Sequence, residues 1–312
     1  MSAPLLSVVV PAYNEEAGIE ETHRRLTAAL SGMGVDYEII YVDDGSRDRT
    51  ADIIQSLRVN DGHARLLGLS RNHGHQIAVT AGLDAAGGDA VVIIDADLQD
   101  PPEVIPEMYE RFREGYDVVY GRRSGREGDS AFKRLTAFMF YRALNALTDA
   151  EIPPDTGDFR LVSRRAADAV REMPEHDRYL RGMFAWIGFR QTAVEFRRGK
   201  RFAGETHYPL RKMLKLAASG VISFSVKPLG AIAALGLVMA GAGLAWLAVL
   251  LVLALAGRRG LGINTLAAMM IECAGLVLAA LGVVGGYVGR IYREAQNRPL
   301  YRLARREGFD DR

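Results

Sequence analysis

Short apolar runs alternate with longer stretches of mixed polarity through the first 120 residues. Residues 7–10, 38–42, 65–69, 90–94 and 117–120 are dominated by Val, Ile and Leu and are too short for buried helices. That is the pattern of strands covered on both faces. Between them, residues 15–30, 48–57 and 76–86 read as helices. Pro101-Pro102-Glu103 opens another, because proline early in a helix and an acid in its first turn are both favoured. Strands separated by helices predict an α/β domain with a Rossmann-like, mostly parallel sheet. Ligands bind such sheets at the carboxyl ends of the strands. The polar clusters fall at those ends: Tyr13-Asn14-Glu15, Asp43-Asp44-Gly45-Ser46, Arg71-Asn72-His73-Gly74-His75 and Asp95-Ala96-Asp97.

Beyond residue 122 the pattern loosens. Arg122-Arg123-Ser124-Gly125-Arg126 is a basic loop, residues 131–147 read as an amphipathic helix bearing Lys133 and Arg134, and residues 196–204 are strongly basic. Residues 210–224 place apolar side chains at helical spacing beside Arg211, Lys212 and Lys215, as in a helix lying at a membrane interface. Two long stretches follow, 229–256 and 261–289, and the only charges from 229 to 289 are Arg258, Arg259 and Glu272. A span of the hydrocarbon core takes about 20 apolar residues, and a core helix rarely runs this long without a polar face. The predicted organisation is an α/β domain over 1–208, an amphipathic juxtamembrane helix over 209–228, a two-helix transmembrane hairpin over 229–289 and a basic cytoplasmic tail over 290–312.

Charge sets the expected orientation. Arg211, Lys212, Lys215 and Lys227 precede the first span, and Arg290, Arg293, Arg298, Arg302, Arg305 and Arg306 follow the second. The positive-inside rule then places the α/β domain and both termini in the cytoplasm, as an integral protein of the cytoplasmic membrane. No signal peptide is expected, since a strand and Asn14-Glu15-Glu16 open the chain. The single cysteine, Cys273, allows no intrachain disulfide. The net charge of +1 gives no pull toward nucleic acid. Gly282-x-x-x-Gly286 and Gly285-x-x-x-Gly289 permit close helix packing, within the hairpin or between subunits of a homo-oligomer. Glu272, an acid within the second stretch, is a candidate functional group or an interfacial one.

The acidic clusters carry the chemistry. Asp95 and Asp97, one residue apart at a strand end, can both reach one hard divalent cation, which takes one or two carboxylates and completes its shell with phosphate and water. Asp43 and Asp44 can accept hydrogen bonds from ribose hydroxyls or a base N–H, or can simply form an Asp-Gly turn. His73 and His75, beside Asn72, are candidate substrate contacts or incidental loop residues. No Gly-x-Gly-x-x-Gly follows the first strand, and there is no Walker motif, Ser-centred nucleophile elbow or Cys/His zinc cluster.

Three motifs carry a family resemblance: Val9-Val10-Pro11-Ala12-Tyr13-Asn14-Glu15, Val42-Asp43-Asp44-Gly45-Ser46 and Asp95-Ala96-Asp97-Leu98-Gln99-Asp100-Pro101-Pro102-Glu103. With them the chain resembles glycosyltransferase family 2, whose members have the GT-A fold and use nucleotide-diphosphate sugars with inversion. The two-span tail resembles that of polyprenyl-phosphate glycosyltransferases. Thr156-Gly157-Asp158-Phe159-Arg160-Leu161 and Arg201-Phe202-Ala203-Gly204-Glu205-Thr206 most resemble the bactoprenol glucosyltransferase branch. The resemblance implies that Pro11, Ala12, Tyr13, Glu15, Asp43 and Asp44, with Asn72, Asp95 and Ala96, hold the nucleotide. It implies that Asp95, Asp97 and Gln99 organise Mg²⁺ or Mn²⁺. Asp158 matches the proposed catalytic carboxylate, with Arg160 and Arg201 as candidate catalytic cations. Arg123, Lys133 and Arg134 become candidates for the acceptor phosphate. No Gln-x-x-Arg-Trp motif of processive synthases is found. The implied reaction moves one sugar from a donor such as UDP-glucose to undecaprenyl phosphate. Other donors (GDP-mannose, a UDP-N-acetylhexosamine, a UDP-aminopentose) stay open, as does a membrane-anchored nucleotide-sugar-binding protein without transfer activity. Because a phosphate acceptor is already anionic, Asp158 has two available roles, base or orienting group.

Overall fold

The apolar runs become the centre of a sheet. In the computed structural model, which describes residues 5–123, 156–197, 199, 227–256 and 263–309, strands β1 (Leu5–Ala12), β2 (Asp36–Asp43), β3 (Ala64–Leu69) and β4 (Ala90–Ile93) lie parallel in the order β3-β2-β1-β4. Val8, Val9 and Val10 are fully buried, as are Ile39 and Ile40, so successive residues are covered on opposite faces. Burying each such side chain stabilises the fold by about 1.5–3 kcal/mol. The covering helices are α1 (Ile19–Ser31), α2 (Thr50–Asn60), α3 (His75–Ala85) and α4 (Ile105–Arg113). Helix α3 packs so closely that a Cβ at Gly82 would fall 2.2 Å from Cγ1 of Val9.

Strand order reverses beside β1. β2 and β3 extend the sheet on one side, whereas β4 starts the other. Such a reversal opens a crevice at the carboxyl ends of the strands. Past β4, β6 (Thr156–Ser163) is antiparallel to both β4 and β5 (Val118–Arg123), and β7 (Gln191–Phe196) runs parallel to β5 at the edge. The sheet is therefore mixed but mostly parallel, as the alternation of strands and helices predicts. Helix α5 (Arg164–Arg171) is capped by Ser163, whose Oγ accepts the Ala166 N–H at 3.2 Å, and α6 (Leu180–Trp186) follows.

Two differences from the sequence reading have physical causes. The first helix begins at Ile19, not at residue 15. Asn14 adopts a φ of 56°, and the N–H groups of Glu15 and Glu16 donate to Thr50 Oγ1 and Asp48 Oδ2, which holds these residues outside the helix. The second difference is a correction to the tail over 290–312. There the last helix continues to Ala295, and Leu303–Glu307 forms β8, antiparallel to β3, as the other edge of the eight-stranded sheet. The strand is tied down beyond its ladder. Arg302 O accepts from Ser70 N at 2.9 Å, Tyr301 Oη donates to Asp84 on α3 at 2.9 Å, and Glu307 lies 3.4 Å from Arg58. Its sequence, Leu303-Ala304-Arg305-Arg306-Glu307, is too polar to announce a strand, and its arginines suit an exposed edge.

A second compact unit contains α7 (Lys227–Leu255) and α8 (Ile263–Ala295). Windows at Ala234–Leu253 and Cys273–Ala295 are long and apolar enough to cross a membrane. Large apolar side chains such as Val238, Leu251 and Leu278 are exposed on these helices. The predicted helix at 131–147 and all but the last two residues of the one at 209–228 fall outside the described residues; Lys227 and Pro228 open α7.

Ending the chain at residue 298 should remove β8 and destabilise the sheet domain by on the order of 3 kcal/mol, the sum of a few ladder bonds at about 1 kcal/mol each. Denaturant unfolding of the truncated protein in detergent checks this; an unchanged midpoint would show that β8 adds nothing to the sheet.

Candidate active site

The loops at the carboxyl edge are tied to one another largely through side chains. The 13–16 loop is fastened to the 46–50 loop: Asn14 N donates to Ser46 Oγ at 3.0 Å, and Asn14 Oδ1 accepts from Arg47 N at 2.9 Å. After β2, Asp43 Oδ1 accepts the Ser46 N–H at 3.1 Å. Asp44 reaches across to the 71–74 loop, its oxygens accepting from His73 N at 2.7 Å and Gly74 N at 2.9 Å. Burial pushes the Asp44 carboxyl above its ordinary pKa, while these two hydrogen bonds pull the other way. Gly45 lets the two loops touch. Its φ is 68°, and a Cβ there would lie 2.6 Å from the Arg71 carbonyl carbon and 2.7 Å from Asn72 N.

The acidic turn after β4 is held on three sides. Thr22 Oγ1 on α1 donates to the Ala96 carbonyl at 2.7 Å, His75 Nε2 lies 2.7 Å from Asp95 Oδ1, and Gly199 N donates to the Gln99 carbonyl at 2.9 Å. Asp97 Oδ1 accepts the Gln99 N–H at 3.1 Å across Leu98. Leu98, a non-glycine residue, takes a φ of 58°. Such backbone stores about 1–3 kcal/mol and clusters at functional sites. Burial acts to lower the His75 pKa, but the hydrogen bond and charge of Asp95, with the charge of Asp158, lift it to about 9.

Asp158, on β6, completes the cluster. Its carboxylate is paired with Arg181 of α6, at 2.7 Å and 3.0 Å, and Gln76 Nε2 donates to it at 3.3 Å. His75 Nδ1 lies 3.8 Å from Oδ2. Burial would raise the Asp158 pKa; the charge and hydrogen bonds of Arg181, then the charges of His75 and Arg160, outweigh it and hold the carboxyl well below the ordinary carboxylate range. Arg160 itself is 4% exposed. Its Nη2 donates to the Gly157 carbonyl at 3.1 Å, its Nε to the Asp158 carbonyl at 3.3 Å, and burial brings its pKa down to about 10.

The structure thus brings together much of what the motifs single out. Pro11 and Ala12 end β1 in the core, Tyr13 is 40% exposed beyond them, and Asn72 is exposed on its loop. Asp43 and Asp44 are buried, Ala96 is buried, and Asp95, Asp97 and Gln99 are half-buried at the next strand end. Arg123 lies at the end of β5 with Nη2 3.7 Å from buried Asp100. Arg201, Lys133 and Arg134 are outside the described residues. Arg181, Gln76 and Thr22 escape the sequence reading, because each acts on a partner distant in the chain and sits in no motif.

The carboxylate pair suits a divalent cation. Among the described residues no group of three or more His, Cys, Asp or Glu side chains forms a self-contained metal site. Two carboxylates at one strand end, Asp95 and Asp97, match the number of hard oxygen ligands taken by a cation that draws the rest of its shell from phosphate and water.

Comparison with known proteins places this architecture. Glycosyl transferase family 2 matches residues 7–171, from β1 to the end of α5. The uncharacterized glycosyltransferase YkcC of Bacillus subtilis is 47% identical over 98% of this chain and 95% of its own length. The prophage bactoprenol glucosyl transferase homolog of Escherichia coli K12 is 37% identical, covering 96% of this chain and 98% of its own. The bactoprenol glucosyl transferase of Shigella phage SfII is also 37% identical, covering 95% of this chain and 96% of its own. The chain belongs to glycosyl transferase family 2. It is a glycosyltransferase, and its sheet domain has the GT-A architecture.

Replacing Gly45 by alanine should cost about 2–3 kcal/mol, since it combines an unfavourable φ with a backbone clash. A shifted unfolding midpoint checks this; an unchanged one would mean that the two loops do not depend on their close approach.

Proposed function

We propose that this protein transfers a single sugar, with inversion, from a nucleoside-diphosphate sugar to a polyprenyl phosphate at the cytoplasmic face of the membrane, with UDP-glucose as donor and undecaprenyl phosphate as acceptor. The observation that carries the reading is a combination in one chain. An acidic strand end at the switch point of the sheet accompanies two helices apolar enough to cross a bilayer. Relatives named bactoprenol glucosyl transferases match over nearly the whole length, helices included.

The site residues divide the work. Pro11, Ala12, Tyr13, Glu15, Asp43 and Asp44, with Asn72 and Ala96, form the nucleoside side of the crevice. Asp95, Asp97 and Gln99 would hold Mg²⁺ or Mn²⁺, which when bound supplies positive charge to the diphosphate. In the reaction an oxygen of the acceptor phosphate forms a bond to the anomeric carbon, and the bond from that carbon to the diphosphate breaks with its electron pair. The nucleoside diphosphate leaves. Both phosphates are anions, so the chain's cations matter most: Arg201, Lys133 and Arg134 are assigned to the acceptor or the leaving group, and fixed positive charge is the largest lever on such a step. Arg123 is assigned there too, presented at the edge by Asp100. α7 and α8 keep the enzyme at the surface where its lipid acceptor resides.

Two experiments test the reading. Purified protein in detergent, given undecaprenyl phosphate, Mg²⁺ or Mn²⁺ and each labelled UDP- or GDP-sugar in turn, should put label into the organic phase from UDP-glucose. Label from another sugar alone would correct the donor; bound nucleotide with no labelled lipid from any donor would favour a binding protein. Separately, Asp97→Asn should lower turnover at least about a hundredfold, the scale set by losing a group that organises transition-state charge, while leaving the unfolding midpoint near that of the wild type. Near-normal turnover would remove the carboxylate pair from the mechanism.

A further inference from the structure

Two side chains beside Asp158 have no role in the reaction described above. Arg181 grips the carboxylate with both Nε and Nη2. Gln76 donates to the same carboxylate, and its own Oε1 accepts the Leu180 N–H at 2.9 Å. Gln76 therefore ties α3 both to β6 and to the first residue of α6, next to Arg181. Three elements close on one carboxylate whose side chain is 12% exposed. Among the described residues the charged groups facing it are cations: Arg160 from its own strand, His75 from α3 and Arg181 from α6. Asp95 stands one contact further away, through His75, and Tyr179 lies close enough to influence Arg160.

We propose that Arg181 and Gln76 are positioning residues that hold Asp158 as a fixed, ionised carboxylate, so that it orders charge in the site and takes no proton from the acceptor. The proposal rests on the glycosyl-transfer reading above and adds the groups that decide between the two roles open to Asp158. A forked arginine–carboxylate pair is strong and directional, and it favours the charged form of the acid. A carboxylate held in that form has little affinity for a proton and makes a weak general base. The displacement balances without one: the attacking phosphate oxygen is already anionic, and the negative charge it loses on forming the ester reappears on the departing diphosphate.

The test is a pH profile of Arg181→Met, written as the ratio of variant to wild-type turnover between about pH 8 and pH 5, a range that brackets the carboxylate and phosphate titrations. Taking the ratio cancels the titration of the lipid phosphate. Without Arg181, only the charges of His75 and Arg160 oppose burial at Asp158, and its carboxyl rises. The ionised form is then lost as pH falls, so the ratio should drop at least about threefold toward the acid end. UDP affinity, measured by calorimetry, should stay within about twofold of wild type, because the pair lies outside the assigned nucleoside contacts. Arg181→Lys, which keeps the charge but not the fork, should fall between the two. A ratio that is flat with pH, or a parallel loss of UDP affinity, overturns the proposal. A thermal-stability cycle of Arg181→Met with Asp158→Asn gives a readout without turnover. Strong non-additivity supports the pairing, and additive effects overturn it. A wild-type protein that makes no glycolipid while the cycle stays non-additive would overturn the catalytic half of the proposal together with the glycosyl-transfer reading, leaving only a structural ion pair.

Discussion

Where a parallel strand stops, the next backbone N–H groups lose their ladder partners, and each must find another acceptor or lose stability. In this protein carboxylates supply many of those acceptors. Asp44 takes two N–H groups of the neighbouring loop, Asp43 one of its own turn, and Asp97 one across the acidic turn. The crevice is thus lined with acids that the backbone itself requires. An ionised carboxylate offers about four acceptor positions, so a group that has satisfied one or two N–H donors retains capacity for a hydroxyl or a cation. Fold and proposed chemistry draw on the same side chains, which is why the candidate motifs sit where the strands end.

The same economy explains the histidine and arginine around the acidic turn. Acids crowded at one edge repel each other unless cations stand between them, and His75 is placed between Asp95 and Asp158. Arg181 and Arg160 add further positive charge near Asp158. Each carboxylate keeps its charge because a neighbour cancels part of the field. For the proposed transfer between two phosphate-bearing substrates such a balance matters, since a bare cluster of acids would repel both.

How much of this the sequence declares depends on how far apart the partners lie. β1 to β4 are legible because both faces of each strand are buried, so their runs are mostly apolar, with Ser7, Glu38 and Arg65 as exceptions. The clusters Asp43-Asp44-Gly45-Ser46 and Asp95-Ala96-Asp97 are legible because their contacts are local or fall at strand ends. β6 is not, since Asp158 and Arg160 interrupt its apolar pattern just where it enters the site. Arg181 is one arginine among many until the fold carries it to Asp158, 23 positions away. α1 starts four residues later than its local pattern indicates, because the capture of Glu15 and Glu16 by Thr50 and Asp48 is a long-range event.

The position of β8 in the chain gives assembly an order in time. Its residues are made after α7 and α8, yet its partner β3 belongs to the first quarter of the polypeptide. On the ribosome, therefore, β3 carries an open hydrogen-bonding edge throughout synthesis of both apolar helices. Pairing so distant in sequence is slow, because a long loop must close before any bond rewards it. Among the described strands β8 emerges last, so β3 gains its second neighbour only after both apolar helices have been made.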